Sequence, residues 1–401
     1  MWERRESRGK GEQMVPPSRA VALLSAAVAL LAVWGYHALV LPPPPKLCGT
    51  PGGPPVSPQI RLRDGRHLAY RESGVPRTEA RHRVVLVHGL ADSKDFTLSA
   101  SPELVEELGV YFVCFDRAGY GESDPHPSRT VKSAVMDIQA PPPALTVPAR
   151  SSPTSWASEN GSTSWLPTPF PPPFGAHHLD LLASSTPFCC RRLAGVALFV
   201  PGINYWWPSL PAGLADAAFR KLHPSDRRAF WVARHAPWLF YAYMTQKLVM
   251  PSAALAGLPY VSCRQDQEIL EMLGNTTATR EQVTRQGIHE SLYRDLMVAF
   301  GDWGFEPMQL ADPFPRHADG GSSSSSSAAA AVHVWQGGDD RILDPEVQRY
   351  VARKLPWVRY HECSDCGHLF VHMEVWSNAM LRALVLGPEQ EDDQPNPSAA
   401  A

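Results

Sequence analysis

Four short runs of apolar, largely β-branched residues constrain this chain more than anything else in it. They are Arg83-Val84-Val85-Leu86-Val87, Val110-Tyr111-Phe112-Val113-Cys114-Phe115, Ala194-Gly195-Val196-Ala197-Leu198-Phe199-Val200 and Val332-His333-Val334-Trp335. Each is long enough for one strand and too short for a helix. Each is continuous rather than alternating, which is the pattern of strands covered on both faces. Val358 to His361 adds a further strand, and helical patterns cover Glu103 to Leu108, Pro345 to Leu355 and His372 to Leu384. Buried strands interleaved with helices predict an α/β chain with a doubly wound, mostly parallel sheet. Ahead of them, IRLRDGRHLAYRES alternates on both sides of Asp64-Gly65, which signals a hairpin. Hydrophobic residues make up 44% of the 401, enough to cover such a sheet and to exclude wholesale disorder.

The N-terminal part has a different character. Ala20 to Leu41 holds no charged residue over 22 positions. As a helix it would be about 33 Å long, enough for a hydrocarbon core of roughly 30 Å. Arg4, Arg5, Arg8, Lys10 and Arg19 precede it, so the N-terminus is expected on the cytoplasmic side of a single span. The run ends in four prolines rather than a small-residue cleavage site, which favours an anchor over a cleaved signal peptide. The expected organisation is a cytoplasmic segment (1–19), a transmembrane anchor (20–41), a Pro-rich linker (42–58) and a first core part (59–138). An atypical Pro/Ser-rich segment (139–191), a core strand (192–201), a helical cap (202–305), a second core part (306–387) and a disordered tail (388–401) follow. Gly320 to Ala331 reads as a flexible insertion within the second core part.

The atypical segment breaks the pattern. Between Gln139 and Cys190 there are 11 prolines and only three charges, Arg150, Glu159 and Asp180. Prolines at that density remove ladder donors and break helices, so no stable element is expected there except over His178 to Ala183.

Lys and Arg total 37 against 40 Asp and Glu, a net charge of −3. A nucleic-acid partner would need a basic excess that is missing. Seven cysteines do not make a disulfide scaffold. Asn160-Gly161-Ser162 and Asn275-Thr276-Thr277 are glycosylation sequons, relevant only to a luminal domain.

Three loops follow predicted strand ends, where α/β chains place their chemistry. His88-Gly89-Leu90 follows the first strand, and its glycine permits a tight turn that presents backbone N–H groups. Phe115 to Asp124 (FDRAGYGESD) reads as a tight structural loop pinned by an ion pair, and its Gly119-x-Gly121 lacks the third glycine of a dinucleotide site. The third is a pair, Gly337-Gly338-Asp339-Asp340 after one strand and Cys366-Gly367-His368 after the next. A carboxylate so placed can fix the tautomer of a histidine that shuttles a proton. Cys363, Cys366, His368 and His372 are also four zinc-ligand types close together. Only Gly367 separates Cys366 from His368, too little chain to wrap an ion, so the proton-transfer reading of His368 is preferred. A local disulfide would suit an oxidising compartment, but free or structural cysteines are expected.

These segments, VVLVHGL (84–90), FDRAGYGESD (115–124), VKSAVMDI (131–138), RLAGVALFVPGINYWWP (192–208), QGIHESLYRDL (286–296), VHVWQGGDD (332–340) and CGHLF (366–370), resemble the α/β-hydrolase superfamily. The likeness covers about 60–138 and 192–386, and NYWWP is similar to a plant membrane-anchored group within it. The resemblance implies the α/β-hydrolase fold with a mobile helical cap over 202–300, whose aromatics line an apolar acyl pocket. It also implies a serine hydrolase of the esterase type, acting on a small apolar ester or related acyl bond. In that reading His368 is the base and Asp340 the acid, with Asp339 an open alternative. Gly89 and Leu90 form the oxyanion hole, Leu90 by its backbone N–H. No metal or organic cofactor is implied, and the membrane is a partner through the N-terminal helix alone. Asp295 is expected to be surface or cap structure.

The chain departs from this pattern at the nucleophile. No G-x-S-x-G occurs in it. Family spacing puts the serine near Ala176, where Gly175-Ala176-His177 offers no hydroxyl, and Ser162 and Ser164 have no predicted strand before them. The central strand–helix unit is therefore expected to be disrupted. The alternative reading is a catalytically inactive hydrolase-fold binding protein, or the product of an aberrant splice or gene model.

Overall fold

The apolar runs become the middle of one eight-stranded sheet. The computed structural model describes residues 19–46, 57–139, 162–167, 193–256, 262–273, 281–314 and 331–387. The chain divides into two compact units, Met1–Pro42 and Pro43–Ala401. The first contributes α1 (Arg19–Leu39), of which Val21–Leu39 is long and apolar enough to cross a membrane. A signal sequence meets the same test.

The second unit carries β1 (Gln59–Arg61), β2 (His67–Gly74), β3 (His82–Val87), β4 (Val110–Phe115), β5 (Ser162–Pro167), β6 (Leu193–Phe199), β7 (Val332–Gly337) and β8 (Val358–Cys363). Their order across the sheet is β1-β2-β4-β3-β5-β6-β7-β8. β2 pairs antiparallel with β1 and with β4, and every other pair is parallel. All six residues of β4 are buried, as its unbroken apolar sequence requires. The core helices are α2 (Pro102–Leu108) between β3 and β4, and α3 (Val131–Gln139) after β4. Local chemistry sets the limits of α2. Ser101 caps it by accepting from the Leu104 N–H at 3.3 Å, Pro102 opens it, and Gly109 ends it with φ 63°.

A helical layer follows β6, comprising α4 (Ala212–Lys221), α5 (Pro224–His235), α6 (Phe240–Thr245), α7 (Arg264–Leu273) and α8 (Arg294–Phe300). It packs through aromatic rings. Phe230 and Phe300 stack with centroids 4.1 Å apart, and Trp207 meets Trp303 edge-on at 5.0 Å. α9 (Pro345–Lys354) links β7 to β8, and α10 (Glu374–Leu386) closes the fold. Asp344 caps α9 by accepting from the Glu346 N–H at 3.2 Å.

The sequence pattern predicts no element over most of 139–191, yet the structure places β5 there, between β3 and β6. Ser162 lies opposite His82 and Pro167 opposite Val87. Ser-Thr-Ser-Trp-Leu-Pro has no apolar β-branched run, so composition hides it; the ladders offered by two buried neighbours override that weak preference. Its backbone supplies partners to edges that β3 and β6 would otherwise leave open. The proline is the last residue of the strand. The helix expected over 178–183, the insertion at 320–330 and the tail after 387 lie outside the described residues. If β5 fills the centre of the sheet, Ser164→Pro removes a ladder donor and destabilises the domain by roughly 1–3 kcal/mol per orphaned acceptor. Urea unfolding reads this, and unchanged stability would place the segment outside the sheet.

β7 and β8 are also joined by two histidines. His333 Nδ1 and His361 Nε2 are 2.9 Å apart, and the Trp335 ring stacks on His361 at 4.0 Å. Burial, with help from neighbouring positive groups, pushes His333 down to about 3 and His361 down to about 4. A basic group depressed on folding favours the deprotonated native state. Its stabilisation is complete above the unfolded value near 6.5 and is lost as pH falls towards 4. The melting temperature should therefore drop over that window, and less steeply in His333→Asn. Parallel pH profiles for the two proteins would contradict this.

Candidate functional site

Because β3, β5, β6, β7 and β8 run in one direction, their carboxyl ends share one edge of the sheet. The loops after β7 and β8 meet there. His368 Nδ1 lies 2.9 Å from Asp340 Oδ2, and both side chains are fully buried. Asp340 is itself fixed. Its Oδ2 also accepts from Gln336 Nε2 at 3.0 Å, and its Oδ1 accepts from the N–H groups of Ile342 and Leu343 at 2.8 and 2.9 Å. Asp339, the open alternative, is half exposed beside Arg341 and does not reach the histidine.

Backbone bonds hold the two loops in register. Gly338 N–H donates to Cys363 O at 2.7 Å and Asp339 N–H to Cys366 O at 2.9 Å. A Cβ on Gly337 would collide with the carbonyls of Cys366 and Gly367, so this approach needs glycine. Cys363 and Cys366 form a disulfide with Cα atoms 5.2 Å apart, so they are neither free thiols nor zinc ligands. Burial opposes a charge on His368, but the Asp340 carboxylate and its hydrogen bond outweigh it and hold the imidazole above its usual value. Burial and the nearby His368 push His372 down to about 4. Among the described residues no three His, Cys, Asp or Glu side chains gather as metal ligands.

The loop after β3 is fixed from below. His88 is buried, and its Nε2 accepts from the Arg117 N–H at 3.0 Å. Its Nδ1 must then carry the proton, which it donates to Gly89 O at 2.9 Å. Burial, then the charge of Arg117, holds the His88 pKa well below its ordinary value, so the ring stays neutral. Arg117 Nη2 donates to the same Gly89 carbonyl at 2.8 Å. The Gly89 C=O and the Leu90 N–H belong to one planar trans peptide and point in opposite directions. Fixing the carbonyl on the Arg117 side therefore fixes the Leu90 N–H on the other.

Arg117 is placed by the helical layer. Asp295, expected to be surface or cap structure, lies on α8 of the helical layer and is 2% exposed. Its carboxylate bridges Arg117 Nη2 at 2.5 Å and Arg129 Nη2 at 2.7 Å, and accepts from Tyr120 Oη at 2.6 Å. The FDRAGYGESD loop is thus pinned by ion pairs, among them Arg117 to Asp295, Asp116 to Lys94 at 3.2 Å and Glu122 to Arg285 at 2.8 Å. α7 grips the other side of the site. Gln265 Oε1 accepts from the Gly367 N–H at 2.8 Å and Asp266 Oδ1 from the Leu369 N–H at 2.7 Å. The sequence reading missed Gln265 and Asp266 because they lie about a hundred residues from the loop they hold and form no motif.

Leu90, Ile342 and Leu343 meet Tyr205, Phe230 and Phe300 of the helical layer around a cavity of about 30 Å³. The aromatic residues share the lining with His223, Asp226, Ser252 and Arg341, and the volume is far below the roughly 300 Å³ of a small-molecule site. Ser162 and Ser164 sit in β5 opposite His82 and Val84, towards the far end from His368.

No family model matches the chain, and no curated protein matches its sequence. Solved structures do. An enol-lactonase from Burkholderia xenovorans LB400 superposes with a TM-score of 0.51 at 16% identity, covering 82% of this chain and 99% of its own. An esterase from Exiguobacterium antarcticum gives 0.51 at 13% identity, covering 82% and 99%. A hydrolase from Pseudomonas aeruginosa PA01 gives 0.50 at 13% identity, covering 82% and 98%. The chain has the α/β-hydrolase fold. At these identities the likeness is one of architecture, and the site within the α/β-hydrolase fold rests on its own geometry.

Asp295→Ala would leave two buried guanidinium groups without their carboxylate. The domain should lose roughly 3–5 kcal/mol in urea unfolding. A loss below about 1 kcal/mol would mean that the network is not buried as described.

Proposed function

We propose that this chain is an esterase-type serine hydrolase, held at a membrane by its N-terminal helix, that cleaves an ester or related acyl bond of a small apolar substrate. The observation that carries the reading is the buried Asp340–His368 pair at the sheet edge where the oxyanion loop also ends. His368 serves as base and then acid, and Asp340 fixes its tautomer and supports its cationic form. The Leu90 N–H, oriented through the Gly89 carbonyl, stabilises the oxyanion. No motif in the chain identifies the attacking hydroxyl; the parallel register directs the Pro167 end of β5 to the end of the sheet that bears His368. The 30 Å³ cavity has room for about one water, so the helical layer must move to admit a substrate. Four basic residues before α1 and Arg19 at its start support a cytoplasmic N-terminus, and NYWWP supports the plant membrane-anchored group.

One observation favours a second reading, a non-catalytic protein of the same fold: the chain contains no G-x-S-x-G. Hydrolysis of a p-nitrophenyl acyl ester by the full chain separates the two. Under the first reading His368→Ala lowers kcat/KM by roughly 10²–10⁴-fold. Activity of the parent protein should rise with pH through a value above 6.5, because His368 must be neutral to accept a proton and its pKa is raised. A parent protein no faster than His368→Ala would establish the second reading.

A further inference from the structure

The disulfide next to His368 has no part in the acyl chemistry, yet it closes the turn on which both site loops depend. β8 ends at Cys363, Ser364 and Asp365 form an exposed turn, and Cys366 returns the chain to Gly367-His368. The carbonyls of the two bridged residues are the acceptors for the loop that carries Asp340, from Gly338 N–H to Cys363 and from Asp339 N–H to Cys366. The turn has one backbone bond of its own, Cys366 N–H to Cys363 O at 3.2 Å. Without the S–S bond, the surface turn would rest on that contact, on the two bonds from Gly338 and Asp339, and on the grip of Gln265 on Gly367.

We propose that Cys363 and Cys366 are positioning residues for His368, and that their disulfide is a site of reversible reduction that weakens the Asp340–His368 pair. A dithiol reductant supplies two electrons and two protons. The S–S bond breaks, both cysteines become thiols, and the dithiol closes to its own disulfide. The bridge spans only three positions of sequence, so chain entropy favours it little. Cys363 and Cys366 are themselves buried, so a reductant reaches the bridge as the exposed turn of Ser364 and Asp365 opens. In the reduced state the acceptors at Cys363 and Cys366 are free to shift, and the 2.9 Å contact between His368 and Asp340 lengthens. Persistence of the bridge requires an oxidising compartment. That matches a domain on the far side of the membrane from a cytoplasmic N-terminus.

The positioning effect rests on the site geometry and is read without turnover. The full chain is purified from membranes in detergent, alkylated, digested and analysed by mass spectrometry with and without prior reduction. Cys363 and Cys366 are expected in one linked peptide; alkylation of both without reductant would overturn the proposal. The His368 imidazole is then titrated by ¹⁵N NMR in the oxidised protein, after treatment with dithiothreitol, and in the double variant Cys363→Ser/Cys366→Ser. Its pKa is expected to fall towards 6.5 on reduction and to stand at the lower value, insensitive to dithiothreitol, in the variant. An unchanged pKa in the reduced wild-type protein would overturn the proposal, whether or not the variant folds. Labelling by a fluorophosphonate probe is followed in the same samples. A redox-dependent pKa with no labelling in any state refutes the hydrolase reading and leaves the positioning role standing.

Discussion

The 2.9 Å hydrogen bond between His368 and Asp340 is the contact around which the rest of the site is organised. It requires two loops from neighbouring parallel strands to approach within van der Waals contact. That is possible because Gly337 faces the carbonyls of Cys366 and Gly367, with no side chain between them. Two backbone bonds and a disulfide then remove the remaining freedom of the turn. The aspartate is saturated by three further donors, so its carboxylate cannot turn away from the imidazole. A buried pair of this kind depends on its hydrogen bonds, and both carboxylate oxygens of Asp340 have theirs.

The helical layer does more than cover the sheet edge. Asp266 and Gln265 accept from backbone N–H groups on either side of His368, and Asp295 holds Arg117, which in turn holds the Gly89 carbonyl. The loops proposed as base and oxyanion hole are thus each tied to a helix of that layer.

Most of the sheet was legible in the sequence because buried parallel strands carry an unmistakable signal, as in Val110 to Phe115. The Asp340–His368 contact was legible too, from a carboxylate and a histidine following adjacent strands. Three features were not. β5 is stabilised by its neighbours rather than by its own residues, so Ser-Thr-Ser-Trp-Leu-Pro gave no strand signal. Asp295, expected to be surface or cap structure, gave no sign of its buried ion pairs because its partners, Arg117 and Arg129, lie more than 160 positions away in sequence. The Cys363–Cys366 bridge was weighed against free thiols, and spacing alone does not decide between them; the bond between their sulfurs in the fold does.

The account turns on whether His368, held by Asp340, activates a hydroxyl for attack on an acyl bond. The most direct measurement is mapping a fluorophosphonate adduct on the full chain by peptide mass spectrometry. The account predicts one adduct that disappears in His368→Ala. No adduct, or one that persists in His368→Ala, would contradict it.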